Sequence, residues 1–180
     1  LGLLWCLVSL PAAADGQDMT LDLPTYSDEE HYSVAMPDSP QLRCDACSII
    51  LQGLAAALLQ AEALRGRPLR EHQVDEVLEA VCESGLSEYE VLEVNGQRRF
   101  DVPGAFPPSA EKGHVVKSSG EVWASRLQGA CRNILGDTGE EEIYARLREH
   151  LGAPQRGSAV RPGETAPGAR ALVRMVCLAR

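Results

Sequence analysis

The residues in this sequence best suited to chemistry are its cysteines, and two of them stand three positions apart in Arg43-Cys44-Asp45-Ala46-Cys47. Cys82, Cys131 and Cys177 follow singly, and Cys6 precedes them. A CxxC can serve as a redox couple, as half of a zinc site, or as the anchor of two separate disulfides. A redox couple needs its first thiol at a turn from a strand into a helix, where the helix N-terminus stabilises the thiolate. Here an apolar helical stripe does begin at the pair, but no strand pattern precedes it, and Asp45 adds a negative charge that disfavours a thiolate. Cys44 and Cys47 stand as the candidate redox pair on those terms. Zinc asks for four ligands, usually a second close cysteine pair or closely spaced histidines. His31, His72, His114 and His150 are scattered, and there is no second CxxC. No metal and no cofactor is expected.

These cysteines belong to a chain of 180 residues, enough for one domain with a real core. Its composition is 44% hydrophobic but only 4% aromatic, so that core must be aliphatic. A formal net charge of -9 argues against a nucleic-acid partner, which would require a basic face to neutralise phosphates. Leu1 to Leu10 form an uncharged apolar run, followed by Pro11-Ala12-Ala13-Ala14-Asp15. That is the pattern of a secretory signal peptide over residues 1–14, too short to span a bilayer. The lack of an initial Met and of a basic stretch leads us to expect an incomplete N-terminus. A secreted chain meets an oxidising compartment, where disulfides persist. Once Cys6 leaves with the signal, five cysteines remain (Cys44, Cys47, Cys82, Cys131 and Cys177), an odd number that needs an account.

Residues 15–40 carry Asp15, Asp18, Asp22, Asp28, Glu29, Glu30 and Asp38 without a Lys or Arg, and are broken by Pro24, Pro37 and Pro40. They read as a flexible acidic leader, with Tyr26, Tyr32, Val34 and Met36 as residues able to dock on a partner. From Cys47, the positions Ile50, Leu51, Leu54, Leu58 and Ala61 recur at helical spacing, and Gly66 with Pro68 ends that helix. A second helix is expected from about Pro68 to Cys82, on Val74, Val77, Leu78 and Val81. Ser87 to Val94 reads as a further helical turn. Residues 95–120 hold Asn95-Gly96, Pro103-Gly104 and Pro107-Pro108 and read as a long loop. A third helix opens at a Ser118–Glu121 capping box and ends at Gly136; Thr138 and Glu141 are spaced to cap a fourth, with Ile143, Tyr144, Leu147 and Leu151. Residues 152–170 form a second linker before a short last helix, Ala171 to Cys177. No strand pattern of any length and no internal repeat is visible.

A CxxC opening the first helix, one cysteine ending the second, one in the third and one late in the chain resembles the saposin-like arrangement. Two further blocks sharpen the likeness: Asp28 to Pro37 with Leu42 to Cys47, and Trp123, Arg126-Leu127, Cys131, Leu135-Gly136, Gly139-Glu140 and Ile143-Tyr144. Together they closely resemble the plasma-cell relatives of the Canopy family. The likeness runs from Asp28 to Cys177; it is strong in those blocks and weak in both linkers, and Gly152 to Arg170 departs from the family. The resemblance implies an all-α, small saposin-like helical domain over 41–180, with four to five helices, nested disulfides and long irregular loops. It implies Cys82 paired with Cys131, Cys47 with Cys177, and Cys44 with a cysteine beyond Arg180, on the expectation that the C-terminus is incomplete as well. It further implies residence in the endoplasmic reticulum lumen. There the protein would promote assembly of immunoglobulin heavy and light chains, above all IgM, beside a lumenal Hsp90-type chaperone, with at most weak thiol–disulfide oxidoreductase activity. Family members end in a KDEL-like retrieval signal, which Cys177-Leu178-Ala179-Arg180 does not match, so a secreted form is the companion expectation. A lipid-binding module is the remaining alternative, because such helices can lay apolar faces on a bilayer. The charge of -9 gives no attraction to anionic lipid, and no stable membrane insertion is expected.

Overall fold

The computed structural model describes residues 33–94, 96–101, 115–118, 121–151, 166 and 168–177. The signal segment, the leader before Ser33 and the greater part of both expected loops lie outside the described residues.

The molecule is built around α1, Pro40–Arg65. Ser39 Oγ accepts from the Leu42 N–H at 3.4 Å, and Pro40 fills the first turn, where a missing N–H costs nothing. Pro40 therefore opens the helix rather than breaking it, and α1 starts there and not at Cys47. Its far end is fixed by Gly66, whose φ of 65° is open to glycine at little strain and whose N–H returns to the Glu62 carbonyl at 2.8 Å. Leu42, Ile50, Leu51, Leu54, Ala55 and Leu58 are fully buried. By length and composition α1 could cross a membrane, yet those side chains make it the shared core of the other elements.

Around it lie α2 (Glu71–Ser84), α3 (Glu121–Thr138), α4 (Glu140–Leu151) and α5 (Ala169–Cys177), each packed on α1. α2 starts three residues after Pro68 and buries Val74, Leu78 and Cys82. α3 runs through Gly136 to Thr138; the break falls instead at Gly139, with φ 86° and its N–H on the Leu135 carbonyl at 2.7 Å. One residue thus separates α3 from α4. Glu140, Glu141 and Glu142 in the first turn of α4, with Arg148 and His150 in its last, match the helix dipole.

The expectation of no strands is overturned. β1 (Val91–Val94), β2 (Gln97–Phe100) and β3 (Val115–Ser118) form an antiparallel sheet in the order β2-β1-β3. Val94 pairs with Gln97, so β1 and β2 form a hairpin whose connection is two residues long, with Gly96 at φ 75°. Val91 pairs with Phe100 and with Ser118. Four-residue strands are too short for alternation to register, and β3 joins from beyond residues 102–114. The segment read as a helical turn, Ser87 to Val94, instead ends in β1 and supplies buried Val91, with Leu86 buried just before it. Phe100 meets Trp123 edge-on at 5.8 Å, seating the sheet against α3. The whole is a small helical domain stapled by two disulfides, with this sheet added at one side.

Candidate functional site

The CxxC lies in the first turns of α1, on the wall of a cleft of about 780 Å³. One wall is Val34, Ala35 and Met36; the opposite ones are the Gly129–Asp137 stretch of α3 and the end of α5 at Val176 and Cys177. Cys47 is bonded to Cys177, with Cα atoms 6.0 Å apart, and this bond pins α5 to α1. Cys82 is bonded to Cys131 at a Cα separation of 5.5 Å, joining α2 to α3 inside the core. Among the described residues Cys44 is exposed and carries no disulfide. The partner expected for it, beyond Arg180, lies outside the described residues. Since Cys47 is held by Cys177, Cys44 and Cys47 do not form a dithiol or a disulfide with one another, and cycling between them would first require the Cys47–Cys177 bond to open.

Asp45, between the two cysteines, does not act on them as an open negative charge. It is buried, and its carboxylate accepts from Arg99 Nε at 2.6 Å, from Arg99 Nη2 at 2.7 Å and from the Phe100 N–H at 3.3 Å. This fork fastens β2 to the CxxC turn and neutralises Asp45. The Arg99 pKa is raised, first by that side-chain hydrogen bond and then by the charges of Asp45 and Cys44, against desolvation.

Arg126 closes the cleft from α3. Its Nε and Nη2 donate to the Ser33 carbonyl at 3.2 and 3.1 Å, and its guanidinium lies 4.4 Å from the Trp123 ring centroid. Residues Ser33 to Ser39 are thereby held along the core, with Met36 packed against it. A second polar cluster lies at the other end of α1. The Tyr144 hydroxyl donates to Glu62 and accepts from the Leu69 N–H at 2.8 Å, and Arg148 Nη1 donates to Glu62 Oε2 at 3.1 Å. Burial and the Glu62 carboxylate push the Tyr144 pKa up to about 12.

His72 and His150 are exposed on α2 and α4, and the ring of His150 lies 2.9 Å from the Arg146 carbonyl; His31 and His114 lie outside the described residues. No cluster of His, Cys, Asp and Glu suited to a metal occurs among the described residues. The residue that sequence reasoning missed is Arg99; Arg126 stood in the family-like block, but its contact with the Ser33 carbonyl was not foreseen. Arg99 sits on a strand that went unrecognised; Asn95-Gly96 between Val94 and Gln97 is the signal that could have found it.

No family model matches the chain. It is similar to the marginal zone B- and B1-cell-specific protein of Mus musculus, with 34% identity over 151 residues, 80% of this chain and 79% of that protein. The protein of the same name from Rattus norvegicus is 32% identical over 151 residues, with the same coverage of 80% and 79%. That of Homo sapiens is 32% identical over 146 residues, 77% of this chain and 76% of the relative.

Proposed function

The chain belongs to the family of the marginal zone B- and B1-cell-specific proteins, and from that membership we propose that it is a folding and assembly factor of the endoplasmic reticulum lumen. Its clients are immunoglobulin heavy and light chains, above all those of IgM, and it works beside a lumenal Hsp90-type chaperone. The observation that carries this reading is the cleft at the CxxC. The helical core borders a space lined by Val34, Met36, Ile134 and Val176, together with Arg43 and Asp137. Such a surface suits an unfinished chain, which offers apolar segments beside polar backbone. Two disulfides fit a compartment that keeps thiols oxidised.

The test is to co-express the full-length protein with immunoglobulin μ heavy and light chains in a non-lymphoid secretory cell line. Assembled heavy–light species and secreted IgM are then measured on non-reducing gels. Assembly and secretion should rise when the protein is present. No change, with the protein shown to be folded and lumenal by protease protection, would sink the proposal. Oxidoreductase activity is separated by the double change Cys44→Ser/Cys47→Ser, read by thermal melting and by an insulin-reduction assay together. Loss of a structural bond lowers the melt, with little turnover to lose. An unchanged melt with a clear drop in turnover would favour the enzyme. Liposome co-sedimentation at neutral and acidic pH should show no binding, and strong binding would favour the lipid module.

A further inference from the structure

The two disulfides are not equally open. Cys82 and Cys131 are buried in the core, whereas Cys47 and Cys177 are half-buried and line the cleft of about 780 Å³. A thiolate must reach a sulfur to exchange with it, so access separates the two bonds. The element held by the open bond is also the shortest of the described helices. α5 has nine residues, from Ala169 to Cys177, and packs on α1 and α4 through Ala169, Leu172 and Val176, with Arg170 and Arg174 turned outward. A helix that short does not persist alone in water. Once the tie is gone, the ordering of nine residues rests on the face formed by Ala169, Leu172 and Val176, with Val173 and Met175 beside it. The bond joins positions 130 residues apart in sequence.

We propose that Cys47–Cys177 is a reducible clasp: a dithiol entering the cleft opens it and frees α5, while Cys82–Cys131 stays closed and α1 to α4 stay folded. One thiolate of the dithiol attacks Cys177 Sγ, the disulfide bond breaks, and Cys47 leaves as a thiolate that takes up a proton. The second thiol of the dithiol then attacks the mixed disulfide. Cys177 is released as a thiol, and the dithiol departs as a cyclic disulfide. Two electrons have passed from the dithiol to the cysteine pair. Freed α5 uncovers the apolar flank of α1 on which it had packed. The device does not depend on the function proposed above.

The experiment is a dithiothreitol titration of the full chain, with alkylation and peptide mapping to read which thiols appear. Amide exchange is followed in parallel. Cys47 and Cys177 should become alkylated at reductant levels about ten-fold below those needed for Cys82 and Cys131. At that point exchange should rise across 169–177 and along the α5-facing side of α1, with α2 and α3 unchanged. The double variant Cys47→Ser/Cys177→Ser should show the same pattern without reductant; Cys82→Ser/Cys131→Ser should not. Simultaneous reduction of both bonds would overturn the proposal, as would α5 amides that stay protected after reduction. Failure of Cys47→Ser/Cys177→Ser to fold would overturn it too, because the remaining helices are claimed to stand without the clasp.

Discussion

Asp45 keeps only 6% of its surface exposed, and both its oxygens are taken up by Arg99 and the Phe100 N–H. Removing one partner of such a pair leaves a buried charge without compensation, which costs far more than the pair contributes. Arg99→Ala should therefore destabilise by about 2–4 kcal/mol in urea unfolding, and replacing both Asp45 and Arg99 with Leu should recover part of that loss. Tyr144 gives a different signature. Its folded pKa of about 12 lies above the ordinary 10.0, first through burial and then through its hydrogen bond to Glu62, with the Leu69 N–H opposing. The folded state thus holds the proton more tightly than the unfolded chain does. Stability from this group is fully present below pH 10 and is lost as pH rises through 12. Because the hydroxyl is partly open to water, screening reduces the effect to about 1 kcal/mol. Tyr144→Phe should flatten that alkaline limb in denaturant titrations from pH 9 to 12. A limb as steep as in the parent would exclude Tyr144 as its source.

At the scale of the element, α1 is held by its two ends and its bonds. Gly66 closes it at φ 65° with open space around it, so Gly66→Ala should cost about 1 kcal/mol from backbone strain alone, read as a shift in the urea midpoint. The two disulfides close loops of 130 and 49 residues, so chain entropy assigns about 5 and 4 kcal/mol to them. Equal ordering in the melts of the two double Cys→Ser variants is not expected. Cys82→Ser/Cys131→Ser also places two hydroxyls in the buried core, and should lower the melt more than its shorter loop alone would suggest.

For the whole molecule the governing fact is a net charge of -9, gathered in part where α2 faces the start of α4. Glu71, Asp75 and Glu79 line one side of a cleft of about 690 Å³, and Glu140, Glu141 and Glu142 the other. The Glu141 pKa is raised, first by its hydrogen bond with Glu71 and then by the Glu71 and Asp75 charges. A raised carboxyl pKa means the folded state binds the proton more readily, so this face gains stability as pH falls from 7 towards that pKa. Thermal melts should rise on moderate acidification or on adding salt, and Glu141→Gln should raise the neutral-pH melt while removing most of the acid gain. A melt that falls steadily from pH 7 to 5 in the parent would refute this.

What the sequence determined by itself is the set of elements with local causes. The helical stripes of α1 to α4, the break after Arg65 and the aliphatic core follow from periodicity and from residues a few positions apart. Neighbours in the chain decide such features, and Gly66 needs nothing distant to end a helix. The cysteine pairing came from a resemblance and not from spacing, which leaves a CxxC open to three chemistries. Tertiary structure alone decided the rest. The sheet depends on β1 meeting β3 across residues 102–114, and four-residue strands carry too little pattern to announce that meeting. Asp45 looked like a charge set against a thiolate because Arg99, 54 positions away, was not yet beside it. Arg126 could be recognised as a motif residue, but its hold on the Ser33 carbonyl, 93 positions back, exists only once α3 lies against the start of α1. Long-range polar contacts have no periodicity to betray them; they are fixed by packing, after the local elements have formed.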